Sequence, residues 1–192
     1  LLCEREGFNV FRGSLNNVLD RFKNAIAKED CENIVRITGD CPLCDPKIID
    51  DVIKSHLNSK AEYTSNALKP SFPDGLDVEV ITKAAFEKVL KSAFLPSQLE
   101  HVTPYVYQNP TEFKINEHVS KMDFSKLRWT VDELIDFNQP NFFEALKLTP
   151  WGLHYNASLS MISEKPIFGN GFKSFRIKCK KYETEKIQKS TE

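Results

Sequence analysis

Apolar and polar positions along this chain follow two periods, and the first clear switch between them is at Asn33 to Asp45. Ile34, Val35 and Ile37 form a short, β-branched apolar run that breaks at Thr38-Gly39-Asp40-Cys41-Pro42, the pattern of a buried strand entering a tight loop. Gly39 frees the backbone for an unusual conformation, and Pro42 biases Cys41 away from helix. Asp40 is therefore expected at the carboxyl end of a strand, the edge where open α/β sheets bind ligands. Asp45 and Pro46 read as N-cap and first residue of a helix whose apolar face is Ile48, Ile49, Val52, Ile53 and Leu57. Upstream, Leu1 to Gly7 reads as the last turns of a helix capped by Gly7, and Asn9-Val10-Phe11 is a strand candidate. Leu15, Val18, Leu19, Phe22, Ala25 and Ile26 then keep helical spacing behind Ser14 as N-cap. Alternating β and α elements imply a parallel sheet with right-handed crossovers, flanked by helices.

Further on, Glu62 to Ser65 reads as a strand with Asn66 at its end, followed by a turn-rich loop through Asp74 and Gly75. Leu76, Val78 and Val80 alternate with Asp77, Glu79 and Ile81, which puts Asp77 and Glu79 on one face. Those two acids either bind sugar hydroxyls or form the solvent face of an edge strand. Ala84, Phe86, Val89 and Leu90 predict a helix over 83–93, and Pro96 opens another that carries Glu100 and His101. Phe113 to Val119 and Leu127 to Val131 are strand candidates, the second closing on Asp132, and Phe142 to Leu148 is a helix candidate. From Pro150 the pattern weakens. Residues 149–192, lysine-rich between Lys173 and Lys189, read as a poorly ordered extension to a domain spanning 1–148.

The 192 residues suit one substantial core. With 26 basic and 27 acidic side chains the net charge is -1, which leaves no global basic field to recruit nucleic acid. No apolar run approaches the roughly 20 residues of a membrane span, so a soluble protein is expected, and a cytoplasmic one from its cysteines and the lack of a signal-peptide-like start. Cys3, Cys31, Cys41, Cys44 and Cys179 are odd in number, which favours reduced thiols. Cys41 and Cys44 have zinc-pair spacing, but no second pair or nearby histidine completes such a site. A Walker loop, G-x-G-x-x-G, G-x-S-x-G and H-E-x-x-H are all absent, which disfavours several common enzyme classes.

Asp40 and Asp132, both expected at strand ends, could together hold one hard divalent cation, although strand-end aspartates are also ordinary turn formers. Arg12, Arg21 and Arg36 suit phosphate contacts, and surface exposure is the default for each. His101 beside Glu100 could bind a sugar or a carboxylate, or simply order its loop.

Five motifs in order, Arg12-Gly-Ser14 with Val18-Leu-Asp-Arg21, Arg36-Ile-Thr-Gly-Asp-Cys-Pro42, Pro73-Asp-Gly-Leu-Asp-Val-Glu79, Glu100-His-Val-Thr-Pro104 and Leu127-Arg-Trp-Thr-Val-Asp132, resemble a known family. It is that of the spore coat polysaccharide biosynthesis cytidylyltransferase-like proteins, relatives of the enzymes that activate acidic sugars such as sialic acid and 3-deoxy-manno-octulosonate. The resemblance implies a Rossmann-like, glycosyltransferase-A-type nucleotidyltransferase fold. It also implies transfer of CMP from CTP to a sugar, with Mg2+ held by Asp40 and Asp132. Nucleotide contacts are implied for Arg12, Ser14, Asp20, Arg21 and Arg36. Sugar contacts are implied for Asn66, Asp74, Gly75, Asp77, Glu79, Glu100, His101 and Arg128. The family's first strand and its R-x-x-S-x-R-L-P-G-K triphosphate loop are missing from the sequence, which reads as a chain truncated at its N-terminus. The alternatives are a non-catalytic fragment or binding scaffold of the same fold, and a related nucleotide-sugar glycosyltransferase. A homodimer is a further expectation of the resemblance.

Overall fold

The computed structural model of the chain describes residues 2–132 and residue 136. Within them lie helices α1 (Leu2–Arg5), α2 (Val18–Ile26), α3 (Pro46–Ser59), α4 (Lys83–Ser92), α5 (Pro96–His101) and α6 (Pro104–Gln108). Strands β1 (Asn33–Arg36), β2 (Tyr63–Ser65), β3 (Glu79–Thr82) and β4 (Ile115–Glu117) form one sheet in the order β1-β3-β2-β4. The helix and extension expected from Phe142 onward lie outside the described residues.

The sheet is mixed, which corrects the all-parallel expectation. β3 runs antiparallel to both β1 and β2, while β2 and β4 are parallel. A parallel connection requires a crossover, usually a helix, whereas β2 and β3 are joined by the irregular segment 66–78. Because β3 turns back between them, β1 and β2 end at the edge where β3 begins. Arg36 and Ser65 are both in register with Glu79 there.

Each face of the sheet has its own apolar layer. On one side Val78 and Val80 pack with Ile48 and Val52 of α3, with Leu43, Phe72 and Leu76, and with Trp129. On the other, Ile81, Ile34 and Tyr63 meet Leu19 of α2, Ala85, Phe86 and Val89 of α4, and Val106 of α6. β3 is therefore buried on both faces, with Val80 and Ile81 at 1% and 2% exposure, and not a solvent-facing edge strand. β1 takes the edge instead. Its Val35 is 38% exposed, contrary to the buried strand expected there.

Local chemistry explains the element ends. Asp45 caps α3, its carboxylate accepting from the Lys47 amide at 2.7 Å, and Pro46 follows without a donor to lose. Ser14 is not the cap of α2. That helix starts later, at Asn17, whose side chain accepts from the Asp20 amide at 2.9 Å, while Ser14 accepts from the Asn17 amide one step earlier. Leu15 consequently precedes the helix and is exposed. Residues 8–14 form no strand. On α3, Leu57 faces solvent and His56 is buried in its place, and on α4 Ala85, not Ala84, faces the core. Leu127 to Val131 is extended but joins no sheet, and makes one bridge, Asp74 to Arg128.

Candidate active site

A cavity of about 460 Å³ opens at the edge where β1 and β2 end and β3 begins. Arg36 and Thr38 line it from β1 and its following turn, Tyr63, Ser65, Ala67 and Leu68 from β2 and beyond, and Asp77 and Glu79 from the start of β3. His101, Thr103 and Tyr107 close it from the α5–α6 corner. Its size is within the about 300–1,000 Å³ of small-molecule sites, and its position is the ligand edge of an open α/β sheet.

Glu79 organises the cavity wall. Its carboxylate accepts from the Arg36 guanidinium, from the buried Tyr63 hydroxyl and, at 2.5 Å, from the Thr103 hydroxyl. The Arg36 pairing follows from the strand register, which sets opposite charges side by side. Burial first, then the neighbouring Glu79 charge, push the Tyr63 hydroxyl far up, so it stays a donor. The α5–α6 corner is tightened by a γ-turn of the rare positive-φ kind. Val102 has φ 74 and ψ -54, and the Thr103 amide donates to the His101 carbonyl at 2.9 Å. That turn directs both of its flanking residues, His101 and Thr103, to the cavity.

Beside the cavity, acidic side chains converge. Asp77 is half-buried, and burial, followed by the charges of Asp74, Glu79 and Asp40, raises its carboxyl to about 6 against some relief from Arg36. Asp132 reaches this place because the chain after Ser120 runs along the loop after β2. Phe124 donates to the Ser71 carbonyl at 2.9 Å, Trp129 to that of Asp74 at 2.6 Å, and Val131 to that of Asp40 at 2.8 Å. Gly75, at φ +104, permits the contact with Trp129, since a β-carbon there would lie 2.6 Å from the Trp129 carbonyl carbon. Arg128 forks between Asp74 and Asp132 at 2.7 Å each and reaches Asp136 at 3.5 Å. Burial acts to raise the Asp40 carboxyl, but hydrogen bonds from Thr38, its own amide and Cys41, with Asp132 alongside, hold it below its usual range.

Asp40 and Asp132 are therefore neighbours, as a shared cation requires. Among the described residues no group of three or more histidine, cysteine or acidic side chains could hold a metal alone. Two carboxylates do fit Mg2+, which typically keeps water and phosphate oxygens as its other ligands. Arg128 holds one oxygen of Asp132 and leaves the other for such a role. Cys41 and Cys44 find no further ligand to complete a metal site among the described residues, and burial pushes their thiols up to about 12 and about 11.

Of the other sequence candidates, Arg36, Asp77, Glu79 and His101 line the cavity. Asp74 and Arg128 stand with the acidic cluster. Asn66 is buried, and its side chain braces the loop, donating to the Leu76 carbonyl at 2.8 Å and accepting from the Val78 amide at 2.7 Å. Glu100 is exposed and outside the lining. Arg12 pairs with Glu4 at 3.0 Å, Ser14 caps locally, Asp20 accepts from Asn24 and Arg21 packs at Gly13; none of the four lines the cavity. Sequence reasoning missed Thr38, Tyr63, Ser65, Thr103 and Tyr107. Thr38 and Thr103 sit inside two of the motifs, the one signal that could have found them.

A mixed sheet flanked by helices, with acids gathered at its ligand edge, is an α/β nucleotidyltransferase-like fold. The chain belongs to the cytidylyltransferase family, whose pattern it matches over residues 2–171. It is 42% identical over 139 residues to an uncharacterized protein of Methanocaldococcus jannaschii, covering 71% of this chain and 56% of that protein. It is 33% identical over 140 residues to the spore coat polysaccharide biosynthesis protein SpsF of Bacillus subtilis, covering 70% and 56% respectively. The chain thus spans little more than half the length of these curated relatives. Its structure is similar to that of a cytidylyltransferase from Leptospira borgpetersenii, with a TM-score of 0.71 and 31% identity, covering 87% of this chain and 74% of that one. No described helix is long and apolar enough to cross a membrane.

Proposed function

We propose that this chain forms the sugar- and phosphate-facing part of a cytidylyltransferase that transfers CMP from CTP to a sugar for glycan synthesis. The observation that carries the reading is the polar cavity at the sheet edge, walled by Asp77 and Glu79, with Asp40 and Asp132 in contact beside it. The sugar occupies the cavity, and the phosphates of CTP meet the acidic cluster. The sugar hydroxyl oxygen forms a bond to the α-phosphorus, the bond from that phosphorus to the β-phosphate oxygen breaks, and pyrophosphate leaves while the hydroxyl proton passes to solvent. Mg2+, held by Asp40 and Asp132 when bound, supplies neutralisation of charge on the departing pyrophosphate. The chain's own contribution is positioning. The His101–Thr103 turn and the Glu79 network fix the walls against which the sugar is oriented, and such orientation can account for much of a rate enhancement.

Calorimetric titration of the chain with CTP, with and without Mg2+, tests this. Binding is expected to require the cation and to weaken at least about tenfold in Asp40→Asn and in Asp132→Asn, each losing one of two carboxylate ligands. Equal affinity with and without Mg2+, unchanged in both folded variants, would remove the reading.

A further inference from the structure

Arg128 joins the loop before β3 to the carboxylate of Asp132. One guanidinium nitrogen donates to Asp74 Oδ2 and another to Asp132 Oδ2, at 2.7 Å each, and the second nitrogen also lies 3.5 Å from Asp136. Backbone pairing fixes the Asp74 end of this strut. The Asp74 amide donates to the Leu127 carbonyl at 2.9 Å and its carbonyl accepts from the Trp129 amide at 2.6 Å, so that Asp74 and Arg128 face each other as a parallel bridge. At the other end, the backbone around Asp132 is held by the Val131 amide on the Asp40 carbonyl at 2.8 Å and by the Asp132 amide on the Asp136 carboxylate at 3.0 Å. Neither bond touches the Asp132 carboxylate. Arg128 does, and it fixes one of that group's two oxygens.

The side chains of Asp74, Arg128 and Asp132 are all about half-exposed, and ion pairs in such a setting contribute little to folding. A cation gains more from the strut than the fold does. Mg2+ demands near-octahedral geometry of the few carboxylates that hold it, and hydrogen bonds that orient a metal ligand are worth about 10–100-fold in metal affinity. A positive charge beside the site acts in the opposite sense, by repulsion, but solvent around the half-exposed guanidinium screens it. We infer that Arg128 is a positioning residue: braced on Asp74, it holds the Asp132 carboxylate so that its second oxygen meets Mg2+ together with Asp40. This role rests on the nucleotidyltransfer reading above, which supplies the cation. It differs from the sugar contact that the family resemblance implies for Arg128, which lies outside the cavity lining.

The 192-residue chain is titrated with Mn2+ alone, a hard divalent probe whose free form is measured by electron spin resonance. The parent is expected to show a site that Asp132→Asn removes. Arg128→Lys keeps the charge and loses the fork, Arg128→Met loses both, and each should weaken that site at least about tenfold with the parent's melting profile unchanged. Repulsion alone predicts a tighter site in Arg128→Met, so the sign of the change separates the two accounts. Asp74→Asn should weaken the site in the parent and weaken it by at most about twofold further in Arg128→Met, because the brace acts through the guanidinium. Parent affinity in Arg128→Lys, parent or tighter affinity in Arg128→Met, a fully additive loss in the double variant, or a collapsed melting profile in both Arg128 variants would each overturn the positioning role and leave the cation reading standing. A parent chain without a Mn2+ site sensitive to Asp132→Asn would remove both.

Discussion

Replacing Gly75 with alanine puts the route by which Asp132 reaches Asp40 under direct strain. Gly75 has φ +104, where a side chain costs about 1–2 kcal/mol of backbone energy. The added β-carbon would also lie 2.6 Å from the Trp129 carbonyl carbon, 2.7 Å from the Thr130 nitrogen and 2.9 Å from the Trp129 oxygen. All three are backbone atoms, so no rotamer change relieves the overlap, and overpacking of this kind adds about 1–3 kcal/mol. The expected loss is about 2–5 kcal/mol, a large share of the 5–15 kcal/mol typical of a folded domain. Urea unfolding followed by far-ultraviolet circular dichroism measures it. Relief by moving 128–131 outward would break the Trp129–Asp74 and Val131–Asp40 hydrogen bonds, so Mg2+-dependent CTP binding should fall in the same variant. Gly39→Ala is the control. It lies next to Asp40, has no atom within 4 Å of the added carbon and does not have a positive φ, so its effect should stay within about 0.5 kcal/mol of the parent. Gly75→Ala unfolding at the same urea concentration as Gly39→Ala would refute the close-approach argument.

Two further substitutions test the groups behind the cavity. His56 is buried between the Thr64 hydroxyl and the Asn33 side-chain amide oxygen, at 3.0 Å from each, and burial holds its pKa below the ordinary 6.5. The unfolded chain therefore binds more protons than the folded one, so this contribution is complete above pH 6.5 and is lost as pH falls below it. His56→Gln should remove a loss of urea midpoint on acidification between about pH 7.5 and 5, in a window where His118, also lowered by burial, adds a loss and Asp77, raised to about 6, adds an opposing gain; a slope identical to the parent's would contradict this. Glu79→Gln leaves Arg36, 18% exposed, beside an amide, and loss of one partner of a buried pair costs about 3–5 kcal/mol. The lower end is expected in urea unfolding because the amide oxygen still accepts from Thr103 and Tyr63, and a loss below about 1 kcal/mol would mean that the pair does not hold the wall.

Contiguous motifs were the legible part of this site. Asp40, Arg36, Asp77, Glu79 and His101 each stood in a short string whose residue types suggested ligand contact, and the structure gathers them at one sheet edge. Helix α3 was legible to the residue at its start, because Asp45 and Pro46 act through local hydrogen bonding alone. Elements fixed by distant partners were not. Leu127 to Val131 has a strand's composition, yet it is held by two backbone hydrogen bonds to Asp74 and one to Asp40 and joins no sheet. The reversal of β3 was open to inference from the helix-free segment 66–78, since a strand returning without a crossover pairs antiparallel.

That reversal also explains why period-two reasoning put Asp77 and Glu79 together and could not separate their roles. Both point to the same side of β3, but β3 is covered on both faces, so exposure does not distinguish a wall from a ligand contact. Register does. Glu79 lies opposite Arg36 and Ser65 and is held by three donors, which makes it part of the wall. Asp77, two residues earlier and beyond the last paired position, has no cross-strand partner, and it lines the cavity without one. One sheet edge thus supplies a fixed acid and an open acid from adjacent positions on one face, and the difference between them comes from where strand pairing stops.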